Sequence, residues 1–212
     1  MRSVGGVLPG VATRSAFLDL TAPDLTTAAE GLRADGHEQA IVVPLLFTEA
    51  FHARIDTPAA VAGAAAASGV QLIDAAVLGT GPALLGVLES TTAGAGVDAD
   101  TPLLLFGVGS SVPEANDAVG DLAARWERRR RGRVTVGFGT REPRGRDLVA
   151  ATVDPLVVVP LFVGPGLLLD ALQTTAAQHD VRVLPPLGTA LAALVAERYT
   201  AALGRAQAGS TT

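Results

Sequence analysis

The sequence predicts an α/β protein of two tandem domains, each a three-layer α/β/α arrangement around a parallel sheet. Short runs rich in Val, Ile and Leu alternate with helical patterns along the chain of 212 residues. The runs lack polar alternation, which is typical of strands covered on both faces. Strand and helix alternation indicates βαβ units. An internal repeat then divides these units into two copies.

The repeat is visible in three pairs of segments. The sequence "VVPL" occurs at 42–45 and again at 158–161, and "LGT" occurs at 78–80 and again at 187–189. A weaker pair aligns Phe17 with Phe138. Because the order of the segments is the same in both copies, the chain is a duplicated unit of roughly a hundred residues. The predicted domains are residues 1–97 and 102–205, joined by a Gly-, Thr- and Asp-rich linker.

The individual elements are predicted from the lengths of the apolar runs and from the Gly and Pro residues that bound them. Apolar runs of strand length alternate with longer patterns that close on Gly or open on Pro, as helices do. Strands are predicted at 14–20, 40–46, 70–77, 102–108, 133–138, 155–162 and 181–185. Helices are predicted at 25–36, 58–69, 82–91, 114–131 and 166–179.

The repeat also exposes a gap at the start of the first copy. The second copy has a strand and a long helix, 103–131, before its strand "RVTVGF". The first copy has only residues 1–13 before the equivalent "RSAFLDL". The first domain is therefore predicted to lack its opening strand and part of its first helix, so that either Met1 is an internal or misassigned start or the element has been lost.

Composition excludes several classes of function. The formal net charge of −5 gives no general attraction for nucleic acid. Cysteine is absent, which excludes disulfides, thiolate metal sites and cysteine nucleophiles and favours a cytoplasmic location. The most apolar stretch, 156–169, is interrupted by Pro and Gly and is too short for a membrane span, which takes about 20 residues. The first ten residues lack the apolar core of a signal peptide.

Two side chains in the first copy are candidates for chemistry. In a parallel sheet, ligands bind beyond the carboxyl ends of the strands. Asp19 ends one predicted strand and His52 follows the next, and a carboxylate with an imidazole suits a divalent metal or proton transfer. The second copy has Thr140 and Leu168 at these positions. The simpler interpretation, a turn-capping Asp19 and an incidental loop histidine at His52, stays open.

A second candidate site lies in "GVGSSVPEAND", residues 107–117. Ser111 is predicted to cap a helix whose first turn holds Pro113, and free backbone N–H groups at such a terminus suit carboxylates or phosphates. Ser110 and Ser111 are therefore candidate substrate-binding residues. The segment lacks the Lys of a P-loop and the dinucleotide fingerprint, so no nucleotide cofactor is predicted.

Taken together, "VVPLLFTEAFHARIDTP", "AFLDLTAPDL", "VLGTGPALL" and the second "VVPLFVGPGLLLDAL" resemble the sirohydrochlorin chelatase family. These are small class II cobalto- and ferrochelatases of cobalamin and siroheme synthesis. The resemblance covers nearly the whole chain in its duplicated form, with "GVGSSVPEAND" similar to a degenerate copy of the family's opening motif. It implies chelatase-like domains, a tetrapyrrole substrate, and insertion of Co²⁺ or Fe²⁺ into sirohydrochlorin without ATP.

The resemblance also assigns roles to residues. His52 matches the His that follows the third strand of the active half, and Asp19 matches an acidic position where Glu is more usual. The first His of the family, in a His-Gly-Ser motif, would lie upstream of Met1, and Val108 takes its place in the second copy. Arg54 is a further candidate for the substrate's carboxylates. Two protein ligands bind a metal more weakly than three, which puts turnover in question.

Three hypotheses follow. The first is a lyase that inserts a divalent metal into sirohydrochlorin, and the second is a catalytically impaired relative that binds metal or tetrapyrrole without turnover. A two-lobed periplasmic-type binding protein is disfavoured by the missing signal peptide. Neither a membrane nor a nucleic-acid partner is expected, and the chain is expected to be a monomer or a homodimer.

Overall fold

The computed structural model describes residues 4–18, 21–48 and 57–209. The chain forms two compact units. Residues Met1–Gly79 and Ala192–Thr212 make up the first unit, and Thr80–Leu191 make up the second. The sheets of both units are parallel, which confirms the predicted fold class.

The second unit contains a four-stranded sheet with the strand order β4-β3-β5-β6. The strands are β3 (Leu103–Gly107), β4 (Val134–Phe138), β5 (Val157–Pro160) and β6 (Arg182–Val183). All residues of β3 and β5 are buried, since each strand has a neighbour on both sides and helices above and below. The uninterrupted apolar run that predicted β3 is therefore explained by its central place in the sheet.

Helices complete the second unit. They are α4 (Pro82–Gly94), α5 (Pro113–Glu127), α6 (Gly145–Ala151), α7 (Leu167–Gln178) and a 3₁₀ turn at Gly188–Leu191. In α5, the residues that face the core recur at helical spacing: Ala115, Val119, Leu122, Ala123 and Trp126. The helix begins with Pro113, as predicted, but its cap residue is Val112, which makes no side-chain cap bond. The prediction of Ser111 as the cap was wrong by one residue, because Pro113 occupies the first helical position.

One hydrophobic core cluster of the second unit lies between β3, β5, α6 and α7. Its buried members are Leu104, Phe106, Val149, Val158, Leu169, Leu172 and Ala176. The ring of Phe106 stacks on that of Phe162, with 5.4 Å between the ring centroids. Gly145 makes this packing possible, because a Cβ atom there would lie 2.5 Å from the Phe106 ring. The central strand and α6 thus approach each other more closely than a larger residue would allow.

The first unit is less complete in the part of the chain that the structure describes. Its strands are β1 (Gln39–Val42) and β2 (Gln71–Asp74), which pair in parallel. Its helices are α1 (Val4–Val7), α2 (Leu25–Ala34), α3 (Thr57–Ser68) and α8 (Ala192–Gly209). No residue of β1 or β2 is fully buried, in contrast with β3 and β5.

The predicted strand at 14–20 is wrong for its described residues, 14–18. Phe17 makes one isolated bridge to Asp24, and no ladder forms around it. Its counterpart β4 forms a ladder because β3 lies beside it. The described residues of the first unit contain no counterpart of β3, so the segment has no strand on which to extend its hydrogen bonds.

The compact units do not follow the sequence repeats at their ends. Helix α4, which closes the first repeat, packs within the second unit, and α8, which closes the second repeat, packs against α1, β1 and β2. The boundaries 1–97 and 102–205 therefore stay a prediction about the repeats. Of the helices in the described residues, none has the length and apolarity that a membrane crossing requires.

Candidate functional site

The candidate ligands of the first copy fall outside the described residues. This applies to Asp19, His52 and Arg54, so their roles stay predictions. In sequence, Asp19 directly follows Leu18, and His52 lies in the connection between β1 and α3. Of the two, only His52 comes after a ladder-forming strand of the described structure, β1, and parallel sheets bind ligands beyond the carboxyl ends of their strands.

The equivalent edge of the second unit is described in full and contains a cavity of about 290 Å³. The cavity lies where β3 and β4 end and where α6 and α7 begin. Its lining consists of Phe106, Phe138, Gly139, Arg144, Arg146, Asp147, Leu168 and Ala171. Ligand-sized space therefore exists at the strand ends of this fold, as parallel α/β sheets predict.

Thr140, the counterpart of Asp19, ties two loops together. Its backbone N–H donates to the carbonyl oxygen of Val108 over 2.9 Å. Its hydroxyl lies 2.9 Å from the same oxygen and 3.2 Å from the carbonyl oxygen of Gly109. A carboxylate has no proton to donate to these acceptors. The position in the second unit thus serves the loop and not a metal.

Leu168, the counterpart of His52, is an apolar wall of the cavity. It is half-buried in the first turn of α7, and a Cβ atom on Gly139 would lie 3.2 Å from its methyl groups. An aliphatic side chain offers no lone pair to a cation. Within the described ranges, no group of three His, Asp or Glu side chains could hold a metal ion.

The two guanidinium groups at this cavity already have partners. The Nε of Arg146 donates to the hydroxyl of Thr175 over 3.1 Å, and Arg144 pairs with Glu142 at 3.4 Å. Both arginines are exposed, so the ion pair contributes little to stability. The charge at the cavity is positive on balance, because Asp147 is the one acid among its lining residues.

Ser110 belongs to a closed turn. Its N–H donates to the Oδ1 of Asn116 over 2.8 Å, and the Nδ2 of Asn116 donates back to its carbonyl oxygen over 2.9 Å. Its hydroxyl accepts from the N–H of Val112 over 3.1 Å. Ser111 is exposed beside it. Asn116 shapes this turn, and its position six residues after Ser110 carried no sequence signal.

Asp74 is an acidic residue at a strand end that was not among the predicted site residues. It is the last residue of β2 and pairs with Val42 of β1. Partial burial raises the pKa of its carboxyl group above the ordinary value. The corresponding residue of the second unit is Val183. An acidic residue inside the otherwise apolar run "VQLIDAAV" is the sequence feature that could have identified Asp74.

The turn after β2 is held by a side chain. Arg198 of α8 donates through Nε to the carbonyl oxygen of Val77 over 2.9 Å and through Nη2 to that of Leu78 over 2.7 Å. Leu78 is fully buried. These two bonds hold the backbone of the segment that follows β2.

The chain is a duplicated parallel α/β fold, and Thr140 and Leu168 of the second copy stand where the first copy has Asp19 and His52 in sequence. The sequence profile of the CbiX family matches the chain twice, at residues 3–95 and 102–202. The chain therefore belongs to the CbiX family. This confirms the resemblance and the duplicated form. The chain's sequence matches no curated protein at a significant level.

Solved structures share the fold. SirB from Bacillus subtilis with Fe³⁺ superposes with a TM-score of 0.77 at 19% identity, over 97% of this chain and 88% of that one. The sirohydrochlorin chelatase SirB from Bacillus subtilis subspecies spizizenii in complex with cobalt gives 0.71 at 20% identity, over 93% and 84%. CbiX, described as the terminal enzyme for biosynthesis of siroheme in denitrifying bacteria, gives 0.68 at 22% identity, over 94% and 87%. These likenesses establish the tandem α/β fold.

Proposed function

We propose that the protein inserts a divalent metal, Co²⁺ or Fe²⁺, into sirohydrochlorin without ATP, as a lyase of cobalamin or siroheme synthesis. The observation that carries the proposal is the match of both repeats to the CbiX family. The difference between the repeats supports the location of the chemistry. Where the first has Asp19 and His52, the second has a tethering Thr140 and an apolar Leu168.

The reaction exchanges one cation for two protons. The metal forms bonds to the four pyrrole nitrogens, and the two N–H bonds of the free macrocycle break. His52 as neutral imidazole would hold the metal above the ring, and His52 or Asp19 would accept the departing protons. No electrons are transferred, so the step requires no redox cofactor.

The substrate carries many carboxylates, which need hydrogen-bond donors. Arg54 is proposed to bind one of them through its guanidinium fork. Ser110 and Ser111 are proposed as further substrate contacts. The hydroxyl of Ser111 is the better placed of the two, because it is exposed and the backbone groups of Ser110 are already bonded to Asn116.

The choice of metal depends on availability and geometry, because His with carboxylate accepts Co²⁺ and Fe²⁺ alike. Two similar structures contain Fe³⁺ and cobalt, respectively. We propose both Co²⁺ and Fe²⁺ as substrates. We further propose that the protein works in the cytoplasm, as a monomer or a homodimer.

The test measures metal insertion through the absorbance change of sirohydrochlorin. The purified chain, and the chain extended upstream of Met1 by a strand ending in His-Gly-Ser, are each mixed with Co²⁺ or Fe²⁺. Turnover that disappears in His52→Ala and persists in His37→Ala supports the proposal. Turnover that survives His52→Ala contradicts the role of that residue.

A second candidate function is binding of metal or tetrapyrrole without turnover. The two-stranded sheet in the described part of the first unit favours it, because the position of the family's first His has no counterpart there. This alternative predicts that the purified chain and the extended chain both bind sirohydrochlorin or Co²⁺. Neither form would then show the absorbance change that accompanies metal insertion.

A further inference from the structure

We propose that the cavity of the second unit binds a small organic acid that has one carboxylate on an apolar body. The carboxylate would contact Arg146, and the apolar body would lie against Phe138 and Leu168. A water molecule takes about 30 Å³ in the liquid, so the cavity of about 290 Å³ accommodates about ten non-hydrogen atoms. The inference concerns the repeat without the candidate metal ligands, and it does not depend on the proposed function.

The cavity has an apolar lining, and small residues keep it open. Phe138, the last residue of β4, is 6% exposed, and Leu168 is half-buried. Gly139 and Ala171 line the same space. The N–H of Gly139 donates to the carbonyl oxygen of Gly107 over 2.9 Å, which holds this wall in place. An apolar group in the cavity would therefore leave water for contact with an aromatic and an aliphatic side chain.

Helix α7 holds Arg146 at this lining. Its Nε donates to the hydroxyl of Thr175 over 3.1 Å, and that hydroxyl donates to the carbonyl oxygen of Ala171 over 3.2 Å. Thr175 is buried, so the anchor of the guanidinium lies inside the unit. The two Nη groups of Arg146 bond to no other residue in the described part of the chain. They form the edge of the guanidinium that binds a carboxylate through two parallel hydrogen bonds.

The charges around the cavity favour an anion with a single charge. Residues 139–147 carry three arginines, Glu142 and Asp147, which leaves one positive charge. A monocarboxylate would neutralise this charge. A phosphate dianion would instead leave an excess negative charge beside Asp147, which is itself a lining residue. A carboxylate is therefore the better match.

The first repeat has the opposite charge at the same turn. Its matching segment, 18–27, contains two aspartates and no basic residue. The isolated bridges of the two units align Arg144 with Asp24, and the next residues along the chain are Gly145 and Leu25. The turn is thus basic with a small residue in the second repeat, and acidic with a larger residue in the first. Because charge at a cleft attracts ligands of the opposite sign, the two repeats are expected to bind different ligands.

A free acid fits the cavity better than a carboxylate side chain of a large molecule does. An acetate or propionate side chain has no apolar body to lie against Phe138 and Leu168. A free acid such as phenylacetate brings a ring and a carboxylate together, at about the size that the cavity accommodates. The polycarboxylate uroporphyrin presents the same acidic group only on side chains. Competition between these two compounds therefore distinguishes the two sources of the carboxylate.

The test titrates phenylacetate into the full chain without metal or tetrapyrrole. Binding is measured by calorimetry and by the chemical shift of the Gly139 amide. Phenylacetamide, which has the same shape without the charge, is the matched control ligand. Arg146→Gln removes the proposed carboxylate contact, and Arg141→Gln is the control, because Arg141 is exposed on the same loop and does not line the cavity. Ala171→Leu fills the cavity without a change of charge.

Phenylacetate is expected to shift the Gly139 amide and to bind with a Kd of about 1 mM or below. Arg146→Gln and the replacement of phenylacetate by phenylacetamide should each weaken binding at least about tenfold, and Arg141→Gln should not. Ala171→Leu should abolish binding while the Tm shows that the chain is folded. If that variant does not fold, the comparison of Arg146→Gln with Arg141→Gln decides.

Three results would overturn the proposal. The first is no shift of the Gly139 amide at any phenylacetate concentration up to about ten times the expected Kd. The second is equal binding of phenylacetate and phenylacetamide, or equal binding by the two arginine variants. The third is displacement of phenylacetate by uroporphyrin that Arg146→Gln prevents, since the site would then belong to a carboxylate side chain and not to a free acid.

Discussion

The two units differ most in the burial of equivalent strands. β5 has neighbours on both edges and is buried at all its residues, whereas β1 has one neighbour in the described structure and is only half-buried. The segment "VVPL" is identical in the two repeats; its first residue, Val42, ends β1, and its counterpart Val158 lies within β5. Burial of a strand is therefore a property of its place in the sheet, and equal sequences need not contribute equally to stability.

The units also differ in their candidate ligands, and here the first unit has the residues that the second lacks. The second unit has the complete sheet, but Thr140 and Leu168 replace the candidate ligands. The first unit carries Asp19 and His52 in sequence on the less complete sheet. We interpret the duplication as one copy that supplies the scaffold and one that supplies the reactive groups.

The largest expected effect is at Gly145. Gly145→Leu places a side chain where the Phe106 ring and Leu172 lie, and should destabilise the second unit by about 3 kcal/mol. Adding Phe106→Val should restore part of this loss. Denaturant unfolding of both variants measures the change in the free energy of unfolding. A loss below about 1 kcal/mol for Gly145→Leu alone would show that the two units do not differ in packing at this point.

The next effect compares two equivalent valines. Val158→Ala removes methyl groups from a fully buried site and should cost about 2 kcal/mol, whereas Val42→Ala, at a half-buried site, should cost less than about 1 kcal/mol. Urea unfolding of the two variants, monitored by hydrogen exchange in each unit, gives both values. Equal losses would contradict the difference in burial.

A smaller effect is expected at the turn after the last strand of each repeat, β2 in the first and β6 in the second. In the second unit the carbonyl oxygen of Leu187 accepts a backbone bond from Ala190, whereas in the first that of Leu78 accepts from Arg198. Arg198→Ala should cost about 1 to 2 kcal/mol, since it removes two charge-assisted bonds. Thermal unfolding measures the loss, with Glu197→Ala as the control expected to change little.

The smallest effect concerns pH. Asp24 accepts a bond from the N–H of Thr27 over 2.7 Å at the start of α2, and hydrogen bonding to Thr27 lowers the pKa of its carboxyl group below the ordinary value of 3.8. A carboxyl group with a lowered pKa stabilises the fold at pH values above its ordinary pKa. This stabilisation is lost as the pH falls through the lowered pKa. Asp24→Ala should flatten the acid limb of a Tm profile below about pH 4. Arg144→Ala, at the matching cap of α6, should leave it unchanged.

The sequence predicted β3, β5, α5 and α7 within a few residues, because their apolar patterns agree with the environment that the fold provides. It failed at 14–18, because a strand needs a neighbour and pattern alone does not show whether the neighbour is present. The seven-residue α6 was missed since it is too short for a periodic signal. The packing of α4 and α8 in units other than their own repeats depends on tertiary contacts that no local pattern contains.

For the site, physical reasoning from the sequence reached Asp19 and His52 as residues at the ligand edge, and the family resemblance supplied their roles. The cavity of the second unit lies at the strand ends of that copy, and the roles of Asp19 and His52 in the first copy stay a prediction. Asn116 and Arg198 shape the surrounding turns through bonds to backbone carbonyl oxygens or amides. Such partners are distant in sequence and have no motif, so only coordinates reveal them.

We propose that the first repeat carries the chemistry and that the second repeat carries the scaffold. The most direct measurement is the rate of cobalt insertion into sirohydrochlorin by two matched variants of the strand-extended protein, His52→Leu in the first repeat and His179→Leu in the second. We predict that His52→Leu abolishes insertion and that His179→Leu, at the exposed end of α7, retains the full rate. Insertion that persists in His52→Leu, or that is lost in His179→Leu with the fold intact, would contradict the claim.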